Sequence, residues 1–366
     1  MKGSSWGRVS YHVFFGMLGM AWALAIFPGL LFAECTSEDA GKSSTTVLTL
    51  HLSSTCTDAE REARAIPAQQ LLQALAAGKG IDLSGVVVQG DLLLDELPAQ
   101  KVASVQGLSL EDRRVLEGLN DEEVHVIRGP FVIKHSRVKG TIVNRLKRGF
   151  LLITGPVVLM HTNFLGLVDL SRTVFLGLVD GSQARFEQES YFVQDRFTQG
   201  AMFTEGRFGP HARFHRSVFD GPAIFRGADF PGLTEFLEVV FEQGANFSRA
   251  AFHMGTGFSG AHCRGKCDFS STQFDRETFF LFARFERAVT FASARFLSQA
   301  DFSDASFKEP DDLAQATFAR PPVMTRTARV VSAVPGAPQA QPFPQVVTIG
   351  LFVAALGALI YILRAK

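Results

Sequence analysis

Two pairs of cysteines are the residues in this sequence that are best placed for chemistry. Cys263 and Cys267 are four residues apart with His262 beside them, a set that could pack in a core, form a local disulfide or bind a metal ion. Cys35 and Cys56 flank an alternating segment from residue 45 to residue 52, and we predict that they form a disulfide in an oxidising compartment.

Histidines and carboxylates give weaker catalytic signals. His211 and His215 have the spacing at which a helix presents two metal ligands on one face, and Glu235, Glu238 and Glu242 form a loose acidic group. The sequence contains no recognisable nucleophile with its base and no phosphate-binding loop. We therefore expect no catalytic residues, no cofactor and no metal. The elements that position these side chains must be inferred from a stronger pattern.

A phenylalanine repeat supplies that pattern. From Phe186 to Phe318, 25 positions follow one another at spacings of 6 and 5 in strict alternation, and 23 of them hold Phe. Two residues before these centres, 21 of the 25 positions hold Ala, Ser, Gly, Thr or Cys. A straight helix at about 100° per residue would place successive Phe about 120–140° apart, and on a flat strand every step of 5 would move the Phe to the opposite face. The chain must therefore turn a corner at every centre.

A square β-solenoid provides such corners, because four faces of 5, 6, 5 and 6 residues make a coil of 22 residues. Residues 186 to 318 then form six coils, a rod of about 29 Å at about 4.8 Å per coil. Every fourth centre falls in one column. The predicted structural core contains two such columns: Phe208, Phe230, Phe252, Phe274 and Phe296, and Phe214, Phe236, Phe258, Phe280 and Phe302. In this arrangement Cys263 and Cys267 both point inward, and His262 points outward.

Three short runs suggest a family. Ala228-Asp229-Phe230, Ala245-Asn246-Phe247 and Ala300-Asp301-Phe302 resemble the A-(D/N)-(L/F)-x-x unit of pentapeptide repeat proteins, in the Phe-rich version that alternates five and six residues. The resemblance implies an all-β fold, a right-handed quadrilateral parallel β-helix. It implies little about function, because members of that family mostly lack a known activity, although some are thought to mimic DNA and block a topoisomerase.

The repeat also divides the chain into segments. We predict the solenoid over residues 81–320, with a non-repeat excursion at about 96–128 that forms a loop with a short helix around residues 110 to 119. The N-terminal segment 34–80 contains a predicted capping helix over residues 67 to 77. Because Pro321 and Pro322 cannot donate to a ladder, residues 321–345 are predicted to form an extended Pro/Ala-rich linker.

Both ends of the chain indicate a membrane. Residues 1–33 are predicted to be a signal peptide, with an uncleaved N-terminal anchor as the alternative. Residues 346–363 contain 18 uncharged residues, about 27 Å as a terminal hydrophobic helix, and are predicted to span the membrane before a short basic tail at 364–366. The expected location is the bacterial inner membrane, as a single-pass protein with its solenoid on the periplasmic or extracytoplasmic side.

Charge limits the functions that remain. The chain has 36 basic and 36 acidic residues, and residues 181–320 contain 15 Lys plus Arg against 18 Asp plus Glu, so no basic stripe for nucleic acid is expected. We expect a non-catalytic scaffold or protein-interaction surface in the cell envelope, with an unknown protein partner and no small-molecule substrate. A DNA-mimic regulator of a topoisomerase and a carbohydrate-active β-helix enzyme are the alternatives.

Overall fold

The computed structural model describes residues 35–36, 45–119 and 122–330, and its regular elements are mainly short strands in stacked sheets. These strands lie on four faces, which the chain visits in the order 1, 2, 3 and 4 before it begins the next coil. All pairings among the described strands are parallel except that of Ala99–Lys101 with Glu123–Ile127. The all-β, parallel architecture that the sequence predicts is therefore confirmed.

Each face stacks short strands from successive coils along the rod. Face 1 contains Val47–His51, Gly80–Ser84, Phe131–Lys134, Val157–Val158, Val179–Asp180, Ala201–Met202, Ala223–Ile224, Gly244–Asn246, Lys266–Asp268 and Val289–Thr290. Face 2 contains Ile66–Pro67, Val87–Gln89, Arg137–Val138, Asn163–Phe164, Arg185–Phe186, Asp229–Phe230, Ala251–Phe252, Gln273–Phe274, Arg295–Phe296 and Thr317–Phe318. Face 3 contains Leu92–Leu93, Ile142–Val143, Val168–Asp169, Ser190–Tyr191, His211–Arg213, Leu233–Glu235, Thr256–Gly257, Thr278–Phe279 and Ala300–Asp301. Face 4 contains Ala99–Lys101, Glu123–Ile127, Phe150–Ile153, Thr173–Phe175, Arg196–Phe197, Val218–Phe219, Val240–Phe241, His262–Cys263, Arg284–Phe285 and Ser306–Phe307.

The register between coils is 22 residues through the regular part of the rod. On face 2, Phe230 pairs with Phe252 and Phe252 pairs with Phe274. Single bridges through Arg207 connect the two five-stranded halves of this face. Because each coil hydrogen bonds to the coils before and after it, every face forms a continuous ladder.

The interior of the rod is filled by stacked rings. In the face 2 column, ring centroids are 4.6 Å apart between Phe208 and Phe230 and 4.7 Å apart between Phe230 and Phe252. The face 3 column from Phe214 to Phe302 stacks at 4.8 to 5.1 Å. Rings of adjacent columns meet edge to face, as Phe252 does with Phe258 at 5.9 Å. The ten predicted core residues all lie in these two columns and are buried.

Close spacing between coils leaves no room for side chains at certain glycines. A Cβ atom at Gly232 would lie 1.9 Å from the backbone oxygen of Pro210 in the preceding coil. At Gly255, by contrast, its nearest contact would be a Leu233 methyl group at 3.4 Å.

We expect Gly232→Ala to destabilise the rod by about 1–3 kcal/mol, because the neighbouring backbone must move to relieve the clash. Gly255→Ala is the matched control, and it should change stability little. Urea unfolding of the two variants against the parent chain measures the difference. A Gly232→Ala variant as stable as Gly255→Ala would contradict the observed coil spacing.

The solenoid begins earlier than the sequence predicts. The strand Val47–His51 already pairs in parallel with Gly80–Ser84, and Ile66–Pro67 pairs with face 2, so the start at residue 81 is wrong. Helix α1 (Asp58–Ala63) interrupts this first coil, which is why the spacing of 5 and 6 does not show there. Helix α2 (Ala68–Ala76) follows and buries Leu71, Leu72 and Leu75 against the end of the core. It covers the N-terminal end of the ladder.

The excursion is more ordered than the predicted loop. It contains the antiparallel strand Ala99–Lys101 and helix α3 (Leu110–Glu117), and its N-cap Ser109 forms a capping box with Asp112. Leu116 packs with outward-facing apolar residues of face 4, among them Phe150 and Leu152, in a second core cluster. Short 3-10 turns occur at Leu94–Glu96, Val102–Ser104 and Leu313–Gln315.

The solenoid also extends beyond the predicted boundary at 320. Val323 bridges Asp301, and Ala328 bridges Ser306, so residues 321–330 continue the last coil and are not linker. The coil tolerates Pro321 and Pro322, which have no backbone N–H, because other residues donate its hydrogen bonds to the preceding coil. These are Val323 and Ala328, whose N–H groups donate to the carbonyl oxygens of Ala300 and Ala305.

Several predicted segments fall outside the described residues. The signal peptide at 1–33, the rest of the linker at 331–345, the membrane helix at 346–363 and the tail at 364–366 are among them. Within the described part of the chain, no helix combines the length and apolar composition needed to cross a bilayer.

Candidate interaction surface

The polar surface of the rod is built from ion pairs that connect one coil to the next. Their members are 22 or 24 residues apart in the sequence, which places them on adjacent coils. These pairs are Arg196–Asp220, Arg207–Asp229, Arg213–Glu235, Arg216–Glu238, Arg264–Glu242, Arg287–Glu309 and Arg326–Asp304. An exposed pair of this kind contributes about 0–1 kcal/mol. The balanced charge of the sequence thus reflects contacts between coils.

One such network on face 3 has the composition of an active site. Glu235 lies 2.7 Å from Nε of Arg213 and 3.0 Å from Nε2 of His211, and the Arg213 guanidinium lies over the ring of Tyr191. Burial alone would raise the pKa of Glu235, but the hydrogen bonds and charges of His211 and Arg213 outweigh it and lower the pKa. The lowered pKa keeps Glu235 ionised, so its carboxylate links Arg213 and His211 across neighbouring coils.

The other candidate catalytic residues do not come together. His211 pairs with Glu235. His215 lies on the other side of the core residue Phe214, and its Nε2 atom is 3.9 Å from a carboxylate oxygen of Glu238. Glu242 pairs with Arg264 on face 4. Among the described residues, no three His, Cys, Asp or Glu side chains are grouped so that they could hold a metal ion.

The four cysteines form two disulfides, both buried. Cys35 bonds to Cys56 next to the first coil, and Cys263 bonds to Cys267 inside the rod. Cys263 occupies the position between Phe241 and Phe285 in the face 4 column, where a ring is missing. The disulfide therefore lies where a phenylalanine would otherwise pack. His262 points to the outside and contacts Glu286 at 3.1 Å.

Asp195 is a buried carboxyl group at a position where most coils have a small residue. Its Oδ1 atom accepts a hydrogen bond from the backbone N–H of Thr173 at 2.8 Å, but Oδ2 has no hydrogen-bond partner among the described residues. Burial raises the pKa of Asp195 well above its ordinary value of 3.8.

We expect Asp195→Ser to stabilise the protein by about 1–3 kcal/mol at neutral pH, because it removes a buried polar atom without a partner. The raised pKa means that the folded chain binds this proton more tightly than the unfolded chain. The contribution of the Asp195 proton to the free energy of unfolding is therefore fully present below the ordinary pKa, and it is lost as the pH rises through the raised pKa of the folded chain. Thermal melts of both proteins at several pH values should show a gain that grows with pH. A constant gain would exclude this electrostatic origin.

An apolar patch interrupts the polar surface on face 3. It consists of Leu233, Met254, Phe279 and Phe282, which are between 40% and 59% exposed. Leu233 and Phe279 lie two coils apart, and the coil between them carries Met254 at its corner, followed by Gly255 and Gly257. We call these four residues the face 3 patch.

A groove adjoins the face 3 patch at the corner between faces 2 and 3. Pro210, Pro231 and Gly232 line it together with Leu233 and Met254, and Glu187 and Arg207 are also among its lining residues. The patch and the groove share Leu233 and Met254, and together they form the apolar strip, which is the candidate interaction surface of the rod.

The matched family model agrees with this geometry. A model described as "Pentapeptide repeats (9 copies)" matches residues 214–262, a span whose core positions run from Phe214 to Phe258 and then Cys263 just beyond. Residues 214–262 are pentapeptide repeats. The pentapeptide-repeat ladder continues in the same register to Phe186 on one side and Phe318 on the other. Comparison with curated proteins and with solved structures finds no match.

The face 3 patch was not among the sites predicted from the sequence. The run Phe279-Phe280-Leu281-Phe282 was the available signal, because only Phe280 occupies a core position of the pentapeptide-repeat pattern. Phe279 and Phe282 must then point outward.

Proposed function

We propose that this pentapeptide-repeat protein is a non-catalytic scaffold, anchored in the bacterial inner membrane and presenting a rigid rod on the extracytoplasmic side. Its work is to hold a protein partner or an envelope component at a fixed position relative to the bilayer. The composition and the ends of the chain suggest this role, and the construction of the rod supports it.

The observation that carries the proposal is the continuity of the rod. One hydrophobic cluster extends from Cys35 and Leu52 to Leu313, and ion pairs connect neighbouring coils on the outside. A rod in which each coil packs only on its neighbours transmits position along its length and offers long, flat faces for binding. Those properties suit a spacer or a docking surface.

The membrane anchor rests on the sequence. Residues 346–363 carry no charge, and the 15 residues before them, 331–345, are rich in Pro and Ala. A linker of this kind spans up to about 46 Å when extended, at about 3.1 Å per residue. The rod would then remain close to the membrane surface.

Reporter fusions test the location. A phosphatase that is active only outside the cytoplasm should work when inserted after Gln341 and should be inactive when fused after Lys366. The opposite result would place the rod in the cytoplasm and favour the alternative of a DNA-mimic regulator.

The DNA-mimic regulator and the carbohydrate-active enzyme, the two alternative functions, each require a different property of the rod. A DNA mimic needs a strongly acidic surface, yet many surface carboxylates of the rod pair with arginines, as Glu238 does with Arg216. A carbohydrate-active enzyme would cleave a glycan, whereas a scaffold would at most bind one, so incubation of the solubilised protein with a set of glycans should give no cleavage product if the scaffold proposal is right.

A further inference from the structure

We propose that the face 3 patch contacts the surface of an anionic phospholipid bilayer, so that the rod rests on the membrane with face 3 down. This inference rests on the proposed membrane anchor and adds the orientation of the rod. Face 1, on the opposite side, would then point away from the membrane and be free to bind a partner.

Phe282 is the most exposed member of the patch. It lies at the corner between faces 3 and 4 and has a left-handed backbone, with φ of 57°. At the same corner of other coils, the left-handed residues are polar or glycine, as at Gln194, Arg216 and Gly260. A bulky side chain in this conformation is uncommon and invites a functional explanation. The corner directs its ring outward, where it is 59% exposed.

The size of the apolar strip argues against a stable protein partner. From Pro210 to Phe279 it covers four coils, about 19 Å at about 4.8 Å per coil, and one face of about 13 Å. That is about a third of the roughly 800 Å² that each partner contributes to a standard protein interface. Insertion of a few aromatic side chains at a membrane interface needs no such area.

Charge next to the patch favours anionic headgroups. Arg276 and Arg284 lie on the same coil as Phe279 and Phe282, on either side of them, and neither forms an ion pair with a described residue. Three carboxylates lie beside these arginines, and each has another contact: Asp275 with His253 at 2.7 Å, Glu277 with Ser298 at 2.8 Å and Glu286 with His262. Hydrogen bonds from its own backbone and from Ser298, and the charge of Arg276, lower the pKa of Glu277. Arg284 is therefore the arginine best placed to pair with a lipid phosphate, and Arg276 adds positive charge beside the patch.

The position of the patch along the rod fits the same conclusion. Phe282, Asp304 and Arg326 follow one another at the same corner on successive coils, so the end of the patch formed by Phe279 and Phe282 lies about 10 Å from the last described coil. The described residues end at residue 330, and the predicted membrane helix at 346–363 begins 16 positions later in the sequence. A rod that is tethered at its C-terminal end holds the face 3 patch closer to the bilayer than its N-terminal coils.

Quenching by brominated lipids tests the contact in the full chain. Phe282→Trp places an indole in the patch, and Ile224→Trp places one on face 1 as the matched control. Each variant is reconstituted in phosphatidylglycerol-containing vesicles with and without brominated acyl chains, and the emission of the parent chain, which contains Trp6 and Trp22, is subtracted. We expect about twofold or greater quenching at position 282 and none at position 224, because an inserted side chain reaches the acyl boundary.

The outcomes separate this inference from the proposed function. If the chain floats with the vesicles but positions 282 and 224 are quenched equally, the contact is wrong and the anchor stands. If the chain does not float with the vesicles, the anchor itself is wrong. Arg276→Gln with Arg284→Gln should reduce the quenching at position 282. Unchanged quenching in that variant would overturn the role of anionic headgroups. An indole at position 282 that is shielded from solvent only when a protein is added, and not by vesicles, would overturn the lipid contact itself.

Discussion

Phe252→Ala should destabilise the rod by about 3–5 kcal/mol, the cost of removing a large buried ring that the surroundings cannot replace. Phe252 is 1% exposed and stacks on Phe230 at 4.7 Å and on Phe274 at 5.1 Å. Its loss breaks the column in the middle of the rod and leaves a cavity between two coils. Urea unfolding of the variant and the parent chain measures the change in free energy.

Phe282→Ala is the control for this experiment. It makes the same substitution, but at a ring that is 59% exposed, and alanine keeps the Cβ atom in the same left-handed backbone. We expect a change within about 0.5 kcal/mol. If the two variants lost equal stability, the inward and outward assignment of the phenylalanines would be wrong.

Removing the Cys35–Cys56 disulfide should have the second largest effect, and the effect should be local. The bond closes a loop across 21 positions, for which the chain-entropy model gives about 3 kcal/mol. Because coils contact only their neighbours, this loss should appear at the N-terminal end and not along the whole rod. Cys35→Ser with Cys56→Ser should therefore accelerate amide exchange in Val47–His51 by more than about a hundredfold.

Strand Val289–Thr290 provides the internal control for that measurement. It lies on face 1 like Val47–His51 but at the other end of the ladder, and its amide exchange should not change. Uniform acceleration in both strands would show that the rod unfolds as one unit. No acceleration in Val47–His51 would show that strand pairing with Gly80–Ser84 holds the first coil without the disulfide.

The regular part of the rod was predictable because its rule is local. Each centre needs a large apolar side chain, and the position two residues earlier needs a small one, so the spacing of 5 and 6 appears directly in the sequence. Phe208, Phe230 and Phe252 could therefore be assigned to one column from their spacing alone. The pattern also predicts an inward side chain where the residue type departs from it. Asp195 stands at a small-residue position and Cys263 at a phenylalanine position, and both are buried.

The ends and the excursion were predicted less well, because their pairings connect residues that are far apart in sequence. Val47–His51 joins face 1 after a helix has interrupted the first coil, which removes the regular spacing. Leu116 of α3 packs on Phe150 through contacts that no local pattern encodes. At the other end, Val323 supplies the ladder donor that Pro321 and Pro322 lack.

The sequence by itself determined the architecture, since the alternation of large and small residues allows only a chain that turns at each ring. The tertiary structure decided which outward side chains become neighbours, because residues 22 positions apart meet only when the coils stack. That stacking brought Arg213 and Glu235 together as an ion pair between coils, and it placed Leu233 and Phe279 on either side of the coil that contains Gly257. The fold thus follows from spacing along the chain, whereas the candidate surface follows from spacing between coils.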